Sequence, residues 1–328
     1  MTRRADTVGI IGAGTFGTAL ASVLARSGRR VILWSRDAAV VQSIQTSRRS
    51  PRLPVAPLPA PLEATSDPRR LAAEARFLVL AVSSTNVRDR SRELGDVLDG
   101  SHIVVHAVGA LATPNNERVS EVMTQGLPTL KLGVLAGPAL AADLVEGQFA
   151  SMVVASAFDE VVAEARRLLN VPPALRLYGS HDLVGVELAS ALSGAYVIAL
   201  GLCDGLGMTA GPRAVLITRA IAEAARLGAA AGAEARTFSG LAGLGNILVR
   251  SSSDRSADYL LGRRLADGVI TADSVRTEGA RAAIAGCDLA KQLRVRMPVL
   301  LGVAAVLSGK LDPKDAAQLV GDNVASEE

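Results

Sequence analysis

The stretch from Thr7 to Asp37 limits what this chain can fold into more than any other. Val8-Gly9-Ile10-Ile11 reads as a buried strand, and Gly12-Ala13-Gly14-Thr15-Phe16-Gly17 follows at once. A helical pattern comes next in Ala19, Leu20, Val23 and Leu24. Ser27-Gly28 stops that helix, and Val31-Ile32-Leu33-Trp34 reads as a second strand. Strand, glycine turn, helix and strand in this order make a dinucleotide-binding unit. Gly12 permits the tight turn, Gly14 leaves room for a pyrophosphate against the backbone, and Gly17 lets the helix pack close to the strand. The helix N-terminus offers its free N–H groups to the phosphates.

The end of the second strand bears on which dinucleotide is bound. An acid there suits a ribose 2′-hydroxyl, and an arginine suits a 2′-phosphate. The chain reads Ser35-Arg36-Asp37. Arg36 favours NADP, with NAD also open. Asp37 stands one residue late and is expected to cap the next helix.

At 328 residues the chain is long enough for two domains. Lys+Arg 35 against Asp+Glu 32 gives a net charge of +3, too balanced and too scattered for a nucleic-acid surface. Cys203 and Cys287 lie in apolar helical patterns, so both are expected to be reduced core residues of a cytoplasmic protein. No signal peptide is expected before Thr7, where polar residues lead straight into a strand. No apolar run is expected to reach the roughly 18 residues of a membrane span. Lysine is confined to Lys131, Lys291, Lys310 and Lys314.

After Asp37 a short helix (38–45) gives way to a Pro- and Arg-rich loop (47–61), and a helical stretch (67–74) follows. Further strands are read at 77–82, 103–108, 133–136, 152–155 and about 175–177, with a helix at 159–169. Strands alternating with helices predict an α/β Rossmann domain over residues 1–180, with a mostly parallel sheet. Ala- and Leu-rich helical patterns then fill 185–202, 212–231, 257–267, 275–293, 298–308 and 313–319. They predict an all-α domain over 181–328. A substrate is expected in the cleft between the domains, at the C-terminal ends of the strands.

The order of motifs resembles the bacterial-type NAD(P)-dependent glycerol-3-phosphate dehydrogenases over nearly the whole chain. GAGTFGTALA with LWSRD carries the likeness at the start, followed by AGPALAADL at 136–144 and DLVGVELASAL at 182–192. LCDGLG at 202–207, LITRAIAEAARLGAAAGA at 216–233 and TFSGLAGLGN at 237–246 continue it. TEGARAA at 277–283 and the Met297-Pro298 pair complete it. The resemblance implies interconversion of dihydroxyacetone phosphate and sn-glycerol 3-phosphate with a nicotinamide cofactor, within glycerophospholipid metabolism. It implies cofactor contacts at Thr15, Phe16, Arg36, Gly137, Ala141 and Glu278, beside Gly12, Gly14 and Gly17. Glu278 matches a glutamate that faces the nicotinamide half in the family.

The substrate-cleft positions depart from the family pattern. Val108 stands where the family has a lysine, Ala139 where it has a hydroxyl residue and Ser193 where it has the catalytic lysine. Gly194 replaces an asparagine and Asn246 an aspartate. Ser256-Ala257-Asp258 stands where the family's Ser-Arg-Asn grips the substrate phosphate. Two ammonium groups beside a carbonyl stabilise charge developing on its oxygen, and losing one such donor costs about a hundredfold or more in rate. Lys131, at the start of its strand, is at the wrong end to replace them.

His106, two residues before Val108 on the same strand, is the candidate proton donor, weighed against a plain hydrogen-bonded histidine. Arg255 is read as a solvated loop arginine, Arg213 as structural and Tyr259 as a packing residue. No His, Cys or acidic pair has metal-ligand spacing. The specific activity the resemblance names is glycerol-3-phosphate dehydrogenation, with little turnover expected. The alternatives are an oxidoreductase retuned to a less anionic carbonyl or imine, and a silent NADP-binding paralogue. The expected partner is a small-molecule substrate, with no nucleic acid and no membrane span, and a homodimer is one assembly open to the chain.

Overall fold

The structure is a computed structural model that describes residues 2–53, 57–269 and 276–316. The chain divides into two compact units. One holds the segment up to Val108 and Ala112–Leu183; the other holds Gly109–Leu111 and the chain from Val184 onward.

The first unit is built on an eight-stranded sheet. Its strands are β1 (Thr7–Ile11), β2 (Arg30–Trp34), β3 (Leu62–Thr65), β4 (Phe77–Leu80), β5 (Ile103–His106), β6 (Leu132–Ala136), β7 (Ala150–Ala155) and β8 (Leu175–Ser180). The order is β3-β2-β1-β4-β5-β6-β7-β8, and every pairing is parallel except β6 with β7. Strand order reverses about β1, which puts the glycine turn at the topological switch point of a Rossmann sheet.

Side-chain alternation divides the core into two faces. Val8, Val31, Leu33, Phe77, Val79, Ile103 and Val105 join one cluster, with Leu20 and Leu24 of the Thr15–Arg26 helix. Ile32, Trp34, Leu78, Leu80 and Val104 join the other, covered by Leu71, Val87, Leu94, Val122 and Met123 from helices. Both faces are dry because helices lie on each, as parallel sheets require.

Several expectations change here. The loop expected at 47–61 leads into β3, an edge strand that pairs with β2 through Val31 and Leu62. Helices at Val87–Gly95, Val119–Gly126 and Ala141–Glu146 were not anticipated from the sequence. A short helix, Thr2–Asp6, precedes β1 where polar coil was expected.

The second unit is helical. Its main members are Leu183–Gly205, Ala210–Ala230, Ala257–Ala266, Glu278–Leu293 and Pro298–Leu307. The start expected at 275 and the end expected at 319 lie outside the described residues; 313–316 are helical. One helix is long and apolar on average, although Glu187 and Asp204 bound its longest uncharged run. Leu183–Gly205 has 23 residues and a mean hydropathy of 1.8, long and apolar enough by composition. Yet 89% of that window is buried inside the protein, as for a helix that is apolar all round and forms a core.

Candidate active site

Gly12 carries φ +113°, and a Cβ there would stand 2.3 Å from the Ala81 carbonyl oxygen, so only glycine fits. A Cβ on Gly17 would meet the Gly12 carbonyl oxygen at 2.1 Å, which is how closely the helix packs on the turn. A Cβ on Gly14 would meet nothing within 4 Å, so there is open space at the start of the helix. Gly14 is the N-cap and supplies no side-chain cap to the first-turn N–H groups of Thr15–Arg26. Open space and uncapped donors at the positive end of a helix fit the pyrophosphate of a dinucleotide.

Thr15 is exposed, and its hydroxyl donates to the Arg52 carbonyl at 3.3 Å. Phe16, Ala139 and Ala141 are half-buried and pack on the same apolar cluster. Gly137 follows β6 with φ +142°. The Ala141–Glu146 helix packs on Thr15–Arg26, and Arg26 donates to the Val145 carbonyl. The structure therefore brings the glycine turn and the 137–141 segment together, far apart as they are in sequence.

Arg36 is exposed just past β2. Asp37 is the N-cap of Ala38–Ser47, as expected: its carboxylate accepts the Ala39 and Val40 N–H groups at 3.1 and 3.4 Å. A second arginine went unnoticed in the sequence. Arg90, on the Val87–Gly95 helix, is buried with its guanidinium 6.0 Å from the Trp34 ring centroid and is paired with Glu93. Burial, reinforced by the nearby Arg36 charge, pushes its pKa down. Arg36 and the Arg90–Glu93 pair thus both lie near the end of β2.

His106 ends β5 and is 1% exposed, and its Nδ1 accepts the Val108 N–H at 3.4 Å. Val108 is itself buried in the apolar cluster that contains Trp34 and Leu80. Lys131 precedes β6 and is ion-paired with Glu160 at 2.9 Å.

In the helical unit, a π-helical turn at Leu241–Gly245 leads into the short helix Asn246–Arg250. Asn246 and Arg250 are four residues apart, so their side chains share a face. Both reach one atom: Ser193 Oγ accepts from Asn246 Nδ2 at 2.9 Å and from an Arg250 terminal nitrogen at 3.2 Å. Ser193 in turn donates to the Ser190 carbonyl at 2.7 Å and is 0% exposed. Arg250 also forms an ion pair with the buried Asp258. The other Asp258 oxygen accepts the Gly279 N–H at 3.1 Å, at the start of Glu278–Leu293.

Ser256 caps Ala257–Ala266 by accepting the Tyr259 N–H, and Ala257 is exposed. Gly194 leaves no pocket, because a Cβ there would lie 2.7 Å from Gly279 Cα. Glu278 pairs with Arg281 at 2.8 Å. Arg213 bonds Asp204 and the Ser251 carbonyl, and Tyr259 donates to Asp204 at 2.8 Å, so both are structural. Sequence reading missed Arg250, although it stands four residues after Asn246 at the end of a glycine-rich turn.

Residues 7–162 match the family described as NAD-dependent glycerol-3-phosphate dehydrogenase N-terminus, and residues 182–318 match its C-terminus. The chain belongs to the NAD-dependent glycerol-3-phosphate dehydrogenase family. It is 36% identical to a glycerol-3-phosphate dehydrogenase (NAD(P)+) of Desulfovibrio desulfuricans, over 93% of each chain. Its identity to that of Halorhodospira halophila is also 36%, again over 93% of each. The crystal structure of glycerol-3-phosphate dehydrogenase from Coxiella burnetii matches with a TM-score of 0.90 and 28% identity, over 97% of this chain and 99% of the other. A ketopantoate reductase of Ralstonia eutropha, at a TM-score of 0.61 and 16% identity over 95% of this chain and 99% of the other, shares the fold alone.

Proposed function

We propose that this chain is an NADP-preferring oxidoreductase that interconverts a carbonyl and an alcohol on a substrate less anionic than dihydroxyacetone phosphate. The observation that carries this reading is the Arg250–Asp258 ion pair. At Ser193 and Asp258 the family resemblance places a lysine and an amide; here a neutral serine replaces the lysine, and Asp258 forms with Arg250 a closed pair with no net charge. A phosphate dianion gains little from such a pair, because each favourable contact with the guanidinium comes with the buried carboxylate close by.

When bound, the nicotinamide cofactor donates or accepts the hydride. Gly12, Gly14 and the uncapped first turn after Gly14 would hold its pyrophosphate. Arg36, exposed just past β2, would hold a 2′-phosphate, while Asp37 is engaged in its cap. Cys203 and Cys287 are both buried free thiols, in keeping with a cytoplasmic setting.

The test is turnover of dihydroxyacetone phosphate with NADPH, and of sn-glycerol 3-phosphate with NADP in reverse. We expect rates far below the ordinary range of about 1–1000 per second. A rate inside that range would overturn the reading. The sealing of Ser193 at 0% exposure favours one rival, a silent NADP-binding paralogue, which predicts no turnover of any carbonyl.

A further inference from the structure

We infer that Arg250 is the residue that binds the substrate's reacting oxygen in this chain, and that it selects carbonyl compounds carrying at most one negative charge. This rests on the oxidoreductase reading above and names the group that stands in for the missing ammonium groups.

The neighbours of Arg250 are committed to holding it. A serine hydroxyl has one donor and two acceptor sites. Ser193 uses all three, toward the Ser190 carbonyl, Asn246 and Arg250. It therefore has nothing left for a ligand and acts as a positioning residue. Asp258 is likewise engaged through both oxygens, toward Arg250 and the Gly279 N–H. Gly194 and Gly279 close against it: a Cβ on Gly279 would lie 2.6 Å from the Asp258 carboxyl carbon. No ligand atom fits there.

Arg250 is different. Its side chain keeps 20% of its surface exposed, against 3% for Asp258. A guanidinium has five N–H donors. Among the described residues two bonds are made, to Ser193 and Asp258, which leaves three donors. The side chain is therefore the exposed cationic end of a buried polar network. Its orientation is fixed before any ligand arrives, as electrostatic stabilisation of a developing charge requires. The Gly109–Leu111 segment belongs to the same unit, and a Cβ on Gly109 would lie 3.8 Å from Ser190 Oγ, one helical turn before Ser193. That places Gly109, within the helical unit, near the helical turn that precedes Ser193.

In the reducing direction the carbonyl carbon takes a hydride, with its two electrons, from the reduced nicotinamide, which is thereby oxidised. The carbonyl oxygen becomes an oxyanion, which Arg250 holds by charge-assisted hydrogen bonds. A guanidinium does not release its proton in the working pH range. The proton that completes the alcohol therefore comes from solvent water. Because Asp258 already balances the Arg250 charge, a neutral carbonyl or a monoanion is admitted and a dianion is disfavoured.

The experiment uses the full chain with four probes: dihydroxyacetone and glyceraldehyde (neutral), hydroxypyruvate (one charge) and dihydroxyacetone phosphate (two charges at neutral pH). Binding to the NADP-loaded protein is read by calorimetry, and turnover is read as NADPH oxidation. We expect a neutral or singly charged probe to bind and react best. Arg250→Met should lower kcat for that probe at least a hundredfold, while calorimetry shows NADPH binding unchanged. Arg250→Lys should recover part of the loss. Asp258→Asn should shift the preference about tenfold toward dihydroxyacetone phosphate, a change in charge selectivity that a merely structural role would not produce.

Probe binding that is lost in Arg250→Met without turnover in the parent would sink the oxidoreductase reading and keep the Arg250 assignment. Equal binding and turnover in parent and Arg250→Met would overturn the assignment and leave the activity standing. No binding of any probe to a parent that binds NADPH would overturn the assignment.

Discussion

Glu223 offers a sharp test of the helical unit. Its side chain is 1% exposed on the Ala210–Ala230 helix. Both oxygens cap the Pro298–Leu307 helix, accepting the Val299 and Leu300 N–H groups at 3.0 and 2.9 Å. Burial pushes the carboxyl up from 4.5 to about 7, against the opposing pull of those N–H groups, the Tyr196 hydroxyl and the Arg226 charge. In the unfolded chain the group ionises near 4.5. Between that pH and about 7 the folded protein keeps a proton that the unfolded chain has lost, so stability falls as pH rises. At about 1.4 kcal/mol per unit, the window amounts to roughly 3 kcal/mol, all of it lost above pH 7. Glu223→Gln removes the titration and keeps one acceptor, giving up one N–H bond at about 1 kcal/mol. Urea denaturation of parent and variant should be compared from pH 5 to pH 8, where other titrating groups cancel in the difference. The variant should gain about 3 kcal/mol on the parent across that range. A difference constant to within about 0.5 kcal/mol would refute the reasoning.

Two further outcomes are expected. Arg36→Asp should weaken NADPH binding about tenfold or more, the worth of one charged hydrogen bond, and leave NADH binding little changed; equal affinity for both cofactors in the unaltered protein would remove the basis for this. Ser193→Lys restores a family lysine in name, but the ammonium would be buried beside Arg250, so it should cost at least about 3 kcal/mol in stability and give no useful turnover of dihydroxyacetone phosphate. A stable variant that reduces this substrate at about 1 per second or faster would contradict both the network and the proposed function.

The core of the Rossmann unit was legible because its determinants are local. The period-2 division of Val31 and Leu33 from Ile32 and Trp34 follows from backbone pleat alone. The Asp37 cap needs only an acid one residue before a helix. β3 was not legible, since Leu62-Glu63-Ala64-Thr65 is short, follows a proline and is made a strand by pairing with β2. The Val87–Gly95 helix hides its burial in a strongly polar sequence, VRDRSRELG, where even Arg90 turns inward over Trp34. Arg250 was hidden for another reason. In the run Val249-Arg250-Ser251-Ser252-Ser253 it looks like a solvated arginine, and only Ser193 and Asp258, distant in sequence, give it a role.

The altered shell positions in the helical unit also depend on one another. An asparagine restored at 194 would place its Cβ 2.7 Å from Gly279 Cα and 3.0 Å from an Asp258 oxygen. Asp258 without Arg250 would be a buried carboxylate balanced only by one backbone N–H. Ser193 without Asn246 and Arg250 would leave buried acceptor sites unused. Losses accumulated one at a time leave such groups orphaned, each at a cost of about 1–3 kcal/mol. No atom of Ser193, Asn246 or Asp258 is orphaned among the described residues. On the proposed reading, that mutual satisfaction is what separates a rebuilt site from an eroded one: small residues at 193 and 194 admit the Asp258 carboxylate, Asp258 fixes the Arg250 guanidinium, and Arg250 then supplies one positive charge, already balanced, where the family resemblance places several that are not.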